Sequence, residues 1–165
     1  DEDDAKNLQV QSPENLSYVT QTTLSVDDTR GIIDILERRF PGIMGPALRD
    51  ICYATQNRQN AVKELRGKAD LLLVIGAENS SNSNRLRDLG NEIGIESHLI
   101  ADATHFNPAW LEGKQAVGIT AGASAPEHLV QELVQAIQSQ LKADVQPFVT
   151  ASETTKFKLP KSIAG

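Results

Sequence analysis

Hydrophobic positions along this chain fall into short runs, separated by polar loops and amphipathic stretches. The plainest run, Leu71-Leu72-Leu73-Val74-Ile75 between Asp70 and Gly76, shows no polar alternation. It predicts a strand buried on both faces, as in a parallel sheet. Ser97–Ile100 and Ala116–Thr120 predict two further strands, and Leu16–Thr20 is a shorter β-like run. Ser25-Val26-Asp27-Asp28 reads as a capping box that opens a helix through Arg39. Further helices are expected from about Gln59 to Leu65, Asn84 to Ile93 and Pro126 to Leu141. Pro126, two residues after Ser124, suits a Ser124 N-cap with proline in the first turn. Pro41, Gly42, Gly45 and Pro46 punctuate the connection after the first long helix. Strands alternating with helices imply an α/β fold, with parallel sheets flanked by helices and right-handed crossovers. The stretch Val145–Gly165 reads as a tail containing a β-like Phe148-Val149-Thr150.

Composition narrows the function classes. With 165 residues, 39% of them hydrophobic, the chain can fold as one or two small α/β units. No apolar run reaches bilayer length, so a soluble protein without membrane partners is expected. The start, Asp1 to Asp4, is acidic and lacks a following apolar segment, which argues against a signal or transit peptide. It also lacks an initiator Met, which points to a processing site or an artificial boundary. A net charge of −6 with no basic stripe argues against nucleic acid as a partner. The single Cys52 cannot close an internal disulfide, as expected of a protein from a reducing cytoplasm.

Four expected strand-to-helix junctions carry small polar residues: Thr22/Thr23, Cys52 to Thr55, Ser80/Ser81/Asn82, and Ser124. In an open α/β sheet such junctions lie at the carboxyl ends of the strands, where ligands bind. Hydroxyls and amides there join the free N–H groups and positive dipole ends of helix N-termini, so phosphate is the natural guest. This construction lets an acidic protein hold an anion. A single Ser or Asn before a helix is usually only a cap; the run Asn79-Ser80-Ser81-Asn82-Ser83 offers more polar groups than a cap needs. Cys52 has two readings, an inert small hydrophobe or a thiolate at a strand end, and one sulfur cannot by itself hold a metal cluster. His98, His105 and His128 show no ligand spacing and read as structural or surface residues. Trp110, after Pro108, reads as the anchor of a short helix, and Lys63 and Glu64 as a solvated face.

The segments Thr20–Ser25, Asp50–Thr55 with Asn57-Arg58-Gln59, Asn79–Leu86 and Thr120–Pro126 together resemble the 4-hydroxy-3-methylbut-2-enyl diphosphate reductase family. The motifs occur in order between about residues 16 and 141 and match the latter half of the family's usual length. The resemblance implies reductive dehydroxylation of an allylic isoprenoid diphosphate to isopentenyl and dimethylallyl diphosphates, in the non-mevalonate pathway of the bacterial cytoplasm. It implies a 4Fe-4S cluster held by three cysteines, with Cys52 the third. Ser80, Asn82 and Ser124 would hold the diphosphate, with Ser81 and Thr23 nearby, and Thr22 would stand by the substrate hydroxyl and relay a proton. An electron donor such as a ferredoxin or flavodoxin is implied as a partner. The first two cluster cysteines, the catalytic glutamate and the substrate-contacting histidines belong to the family's N-terminal half, which is therefore expected as a further partner. The family's three-lobed assembly would divide this chain into the end of an incomplete α/β lobe (1–48), a complete lobe (49–141) and a tail (142–165). Alone, this half is expected to lack both cluster and activity.

Two readings from other classes stay open on sequence: a non-catalytic phosphate- or nucleotide-binding module with an inert Cys52, and an interaction domain whose polar loops only cap helices.

Overall fold

The computed structural model describes residues 1–46 and 52–151. The expected lobe boundary at 48/49, Ile51, and the end of the tail from 152 onward lie outside the described residues. The central element is β1 (Leu71–Ile75), whose five side chains are all fully buried. It pairs in parallel with β2 (Glu96–Ile100) on one side and β3 (Val117–Ala121) on the other, giving the order β2-β1-β3.

The apolar run of β1 feeds two cores because successive strand residues point to opposite faces. Leu71, Leu73 and Ile75 pack with Leu111, Leu133 and Ile137. Leu72 and Val74 pack with Val62, Leu86, Leu89 and Ile95. The first group lies under α5 (Glu127–Gln140) and the short 3-10 turn Pro108–Leu111; the second lies under α3 (Tyr53–Glu64) and α4 (Ser81–Glu92). Each fully buried Leu or Ile contributes roughly 1.5–3 kcal/mol, so β1 holds three layers together. The parallel, helix-flanked α/β architecture expected from the run is present.

Asp70, just before β1, fastens the opposite end of the sheet. Its carboxylate accepts from the N–H groups of Gln115 (2.7 Å) and Ala116 (3.0 Å) at the start of β3. Those bonds hold its carboxyl below the ordinary value of 3.8. A depressed folded-state value stabilises the fold above the unfolded value, and the contribution disappears as pH falls through the folded value. Acidification below pH 3.8 should therefore lower the melting temperature of the native protein more than that of Asp70→Asn. Equal pH slopes in paired melting curves would count against this clasp.

Before the sheet, α1 (Glu2–Asn7) packs on α2 (Val26–Arg39). Arg39 ties them by donating to the carbonyls of Ala5 and of Leu8. The β-like run at Leu16–Thr20 is reduced to one parallel bridge, Ser17 to Met44. One bridged pair without a further neighbouring strand is too little to build a ladder. Two helices start earlier than the pattern suggested, and a third has a different cap. The α3 helix begins at Tyr53, not near Gln59, with Cys52 as N-cap; α4 begins at Ser81, not Asn84, with Ser80 as N-cap; α5 is capped by Pro126, not Ser124. Polar first turns look like loops in sequence because their apolar period begins only one turn later. The Phe148-Val149-Thr150 segment forms no strand; Phe148 instead lies under the Lys68 ammonium, 4.9 Å from the ring centroid.

Candidate functional site

Strand order locates the site. From β1 the chain crosses to β2 on one flank, then returns past β1 to β3 on the other. The carboxyl ends of β1 and β3 therefore flank a switch point, the place where open α/β sheets bind ligands. The loop after β1 delivers Ser80, Ser81 and Asn82, and the loop after β3 delivers Ser124.

Ser80 caps α4 through its hydroxyl oxygen, which accepts from the Ser83 N–H (3.3 Å) and the Ser83 hydroxyl (2.9 Å). Both bonds are accepted, so the Ser80 O–H still has a proton to donate. The first N–H groups of a helix have no intrahelical partner. Those of Ser81 and Asn82 stand in that position beside the positive end of the α4 dipole. Ser81 is exposed at this edge.

Asn82 is the decisive residue. Its side chain is only 7% exposed, yet neither Nδ2 nor Oδ1 has a hydrogen-bond partner. An unpartnered buried amide costs about 1–3 kcal/mol and calls for a partner from outside the protein, a ligand or a water. The amide lies against the β3 loop: a Cβ placed on Gly122 would stand 3.5 Å from Asn82 Nδ2 and would collide with the Ser83 hydroxyl. A Cβ on Gly76, at the end of β1, would meet the same hydroxyl. The two glycines thus let the Ser83 side chain sit between strand ends and draw the two loops together. Ser124 is exposed and caps nothing; the turn that carries it is pinned by Gly122 N–H to the Ile75 carbonyl (2.8 Å) and Ala125 N–H to the Gly122 carbonyl (3.0 Å).

The other two junctions are not strand ends. Thr22 and Thr23 form a turn closed by Leu24 N–H to the Gln21 carbonyl (3.1 Å), and Cys52 is an exposed helix N-cap. They still meet each other, since Cys52 N–H donates to the Thr22 carbonyl (3.3 Å). Fully buried Gln59 reaches the Thr23 and Leu24 carbonyls from behind, at 3.5 and 3.4 Å, and its Oε1 is left without a partner. The α3 helix leads into the start of β1, so its N-terminus faces the carboxyl edge of the sheet. Arg58 fixes this direction: its Nε donates to the carbonyl of Ala121, the last residue of β3 (3.2 Å). Cys52 lies a further six residues toward the helix N-terminus, about 9 Å along the axis. Thiol, threonine turn and the loops after β1 and β3 consequently occupy one edge of the sheet.

Two of the three histidines are held by their own neighbours, and His128 stands exposed in the first turn of α5. His98 stacks on Trp110 (4.0 Å between centroids) and pairs with Glu96, while His105 joins Asp102. Two hydrogen bonds from Thr104, with the one from His105, hold the Asp102 carboxyl down to about 2. Among the described residues no group of three His, Cys, Asp or Glu side chains could hold a metal ion. Sequence reasoning gave no role to Arg58, Gln59, Ser83, Gly76 or Gly122. Arg58 and Gln59 stand inside a motif-bearing segment; the two glycines could have been noticed as strand-end glycines before polar loops.

Comparisons with known proteins point to one family. The family model described as LytB protein matches residues 1–138. The chain is 52% identical over 162 residues to 4-hydroxy-3-methylbut-2-enyl diphosphate reductase 1 of Rhodopseudomonas palustris, covering 98% of this chain and 53% of that protein. It is 50% identical to the Marinobacter nauticus reductase of the same name, covering 99% of this chain and 52% of the relative. Among solved structures, the E-1-hydroxy-2-methyl-but-2-enyl-4-diphosphate reductase from Plasmodium falciparum superposes with a TM-score of 0.84 at 32% identity, over 97% of this chain and 51% of that one. The chain spans about half the length of the curated relatives it matches.

Proposed function

Because the chain belongs to the LytB protein family, we propose that it is the C-terminal part of a reductase that removes the hydroxyl of 4-hydroxy-3-methylbut-2-enyl diphosphate, yielding isopentenyl and dimethylallyl diphosphates. The relatives' names supply the substrate. The observation that carries the reading is the buried, unpartnered amide of Asn82 at the switch point. Residues 1–48 form the end of one lobe, 49–141 a complete lobe, and 142–165 a tail.

In this reading Asn82, Ser80 and Ser124 hold the diphosphate, helped by Ser81, Thr23 and the free N–H groups of the α4 first turn. Fixed dipoles bind it without reorganising, which suits an acidic chain. Anchoring the charged tail orients the allylic end toward Thr22 and Cys52. Thr22 passes a proton to the departing hydroxyl, so that water leaves; the overall change consumes two electrons and two protons.

Cys52 is exposed and free, which fits a thiolate ligand to one iron of a 4Fe-4S cluster, and to one iron only. The other ligands come from the half of the family's length that this chain does not span. Once bound, such a cluster supplies electrons and a Lewis-acidic iron. A ferredoxin or flavodoxin in the bacterial cytoplasm is the matching electron donor. No helix among the described residues is long and apolar enough to cross a membrane.

Calorimetry with pyrophosphate tests the binding half. Ser124→Ala should weaken binding roughly tenfold or more, since hydrogen bonds to charged groups contribute about 1.5–3 kcal/mol, and should leave the melting temperature unchanged. Ser80→Ala should weaken binding similarly and also cost about 0.5–2 kcal/mol of stability, because the α4 cap goes with it. Pyrophosphate binding that neither change affects would refute the assignment. Anaerobic iron and sulfide added to the full-length protein test the redox half: a brown product is expected, and a colourless one excludes it.

A further inference from the structure

The α3 helix carries Cys52 at its start, yet its tightest link to the diphosphate loops comes from its middle. Arg58 spreads its guanidinium between two carbonyls. Nε donates to Ala121 (3.2 Å) at the end of β3, and one terminal nitrogen donates to Ala54 (3.0 Å) in the first turn of its own helix. Ala121 is followed directly by Gly122, whose N–H is pinned to β1, and by the turn bearing Ser124. The side chain is half-buried, so these bonds are only partly open to competing water. A planar, always-charged fork suits such a two-carbonyl span; an ammonium on a flexible stem does not.

We infer that Arg58 is a positioning residue that sets the Ser124 loop against the Cys52-bearing helix, and so fixes the distance between phosphate anchor and thiol. This rests on the function proposed above. Arg58 does not need to touch the substrate; it acts through the Ala121 carbonyl and the turn that follows. Gln59, the next residue, points elsewhere because helix neighbours lie about 100° apart. It meets the Thr23 and Leu24 carbonyls, and α3 thereby becomes the common support of both loops.

A double-mutant cycle on the full-length protein tests the inference, with pyrophosphate affinity as the readout. Arg58→Ala and Ser124→Ala should each weaken binding roughly tenfold. The double variant should fall well short of the hundredfold expected for independent sites, because coupled residues are not additive. Arg58→Lys should behave like Arg58→Ala. If lysine restores native affinity, charge alone matters and the positioning role is wrong. It is equally wrong if the two losses simply multiply, or if Arg58→Ala lowers the melting temperature without changing affinity. Reductase turnover, measured alongside, separates the layers. A coupled cycle in a protein that never turns over sinks the functional reading and leaves the clasp; normal turnover with an additive cycle does the reverse.

Discussion

Replacing Asn82 by leucine should make the protein more stable and, at the same time, worse at holding diphosphate. The ligand-free molecule buries both polar atoms of this side chain without a partner, a cost of about 1–3 kcal/mol that an apolar side chain of similar size removes. Thermal melting without ligand should therefore move up by a few degrees. Pyrophosphate affinity should drop roughly 10- to 150-fold, the equivalent of losing one charge-assisted bond of 1.5–3 kcal/mol. Opposite signs in the two measurements are the diagnostic result. A residue that merely caps or packs would lose stability on substitution, and a drop in melting temperature with unchanged affinity would remove Asn82 from the site.

Cys52→Ser separates the redox half from the binding half. The residue is exposed at a helix N-cap and makes no side-chain cap bond. A substitution there, away from any core contact, should stay within about 0.5 kcal/mol of native stability. Pyrophosphate binding should be unchanged as well. Iron content and visible absorption of the reconstituted full-length protein should collapse, and reductase turnover should fall to background, because the hydroxyl oxygen of serine is a poor substitute for thiolate at iron. Retained absorption with retained turnover would leave Cys52 as an ordinary surface thiol.

Some of this was legible before any coordinates. The unbroken Leu71–Ile75 run announced a doubly buried parallel strand, and its alternate side chains feed the two cores. The polar run at 80–83 read as more than a cap, because one N-cap does not need Ser, Ser, Asn and Ser in succession; Ser80 is the cap, and Asn82 is buried without a partner. Cys52 was expected at a strand end and lies at a helix start instead; polar Gln56, Asn57 and Asn60 hide the apolar period of α3, leaving only Val62 and its neighbours to signal it. Ser124 was expected to cap α5, but the backbone turn at 122–125 separates it from the helix, which Pro126 caps instead. That separation frees the hydroxyl. Burial of Asn82 was illegible for a different reason: it depends on β3 lying beside β1, which brings Gly122 against it, and no local pattern records that crossover. The same holds for Arg58, whose partner Ala121 is 63 residues away.

Everything functional here turns on whether the Asn82 amide meets a phosphate oxygen. Selective 15N labelling of asparagine in the full-length protein makes that side chain directly visible by NMR, once Asn82→Leu has assigned its signals. Titration with pyrophosphate should shift the paired Asn82 amide protons saturably, at the concentration that saturates the calorimetric signal. An Asn82 side chain whose resonances stay still while pyrophosphate binds would place the anion elsewhere, and the site described here would be wrong.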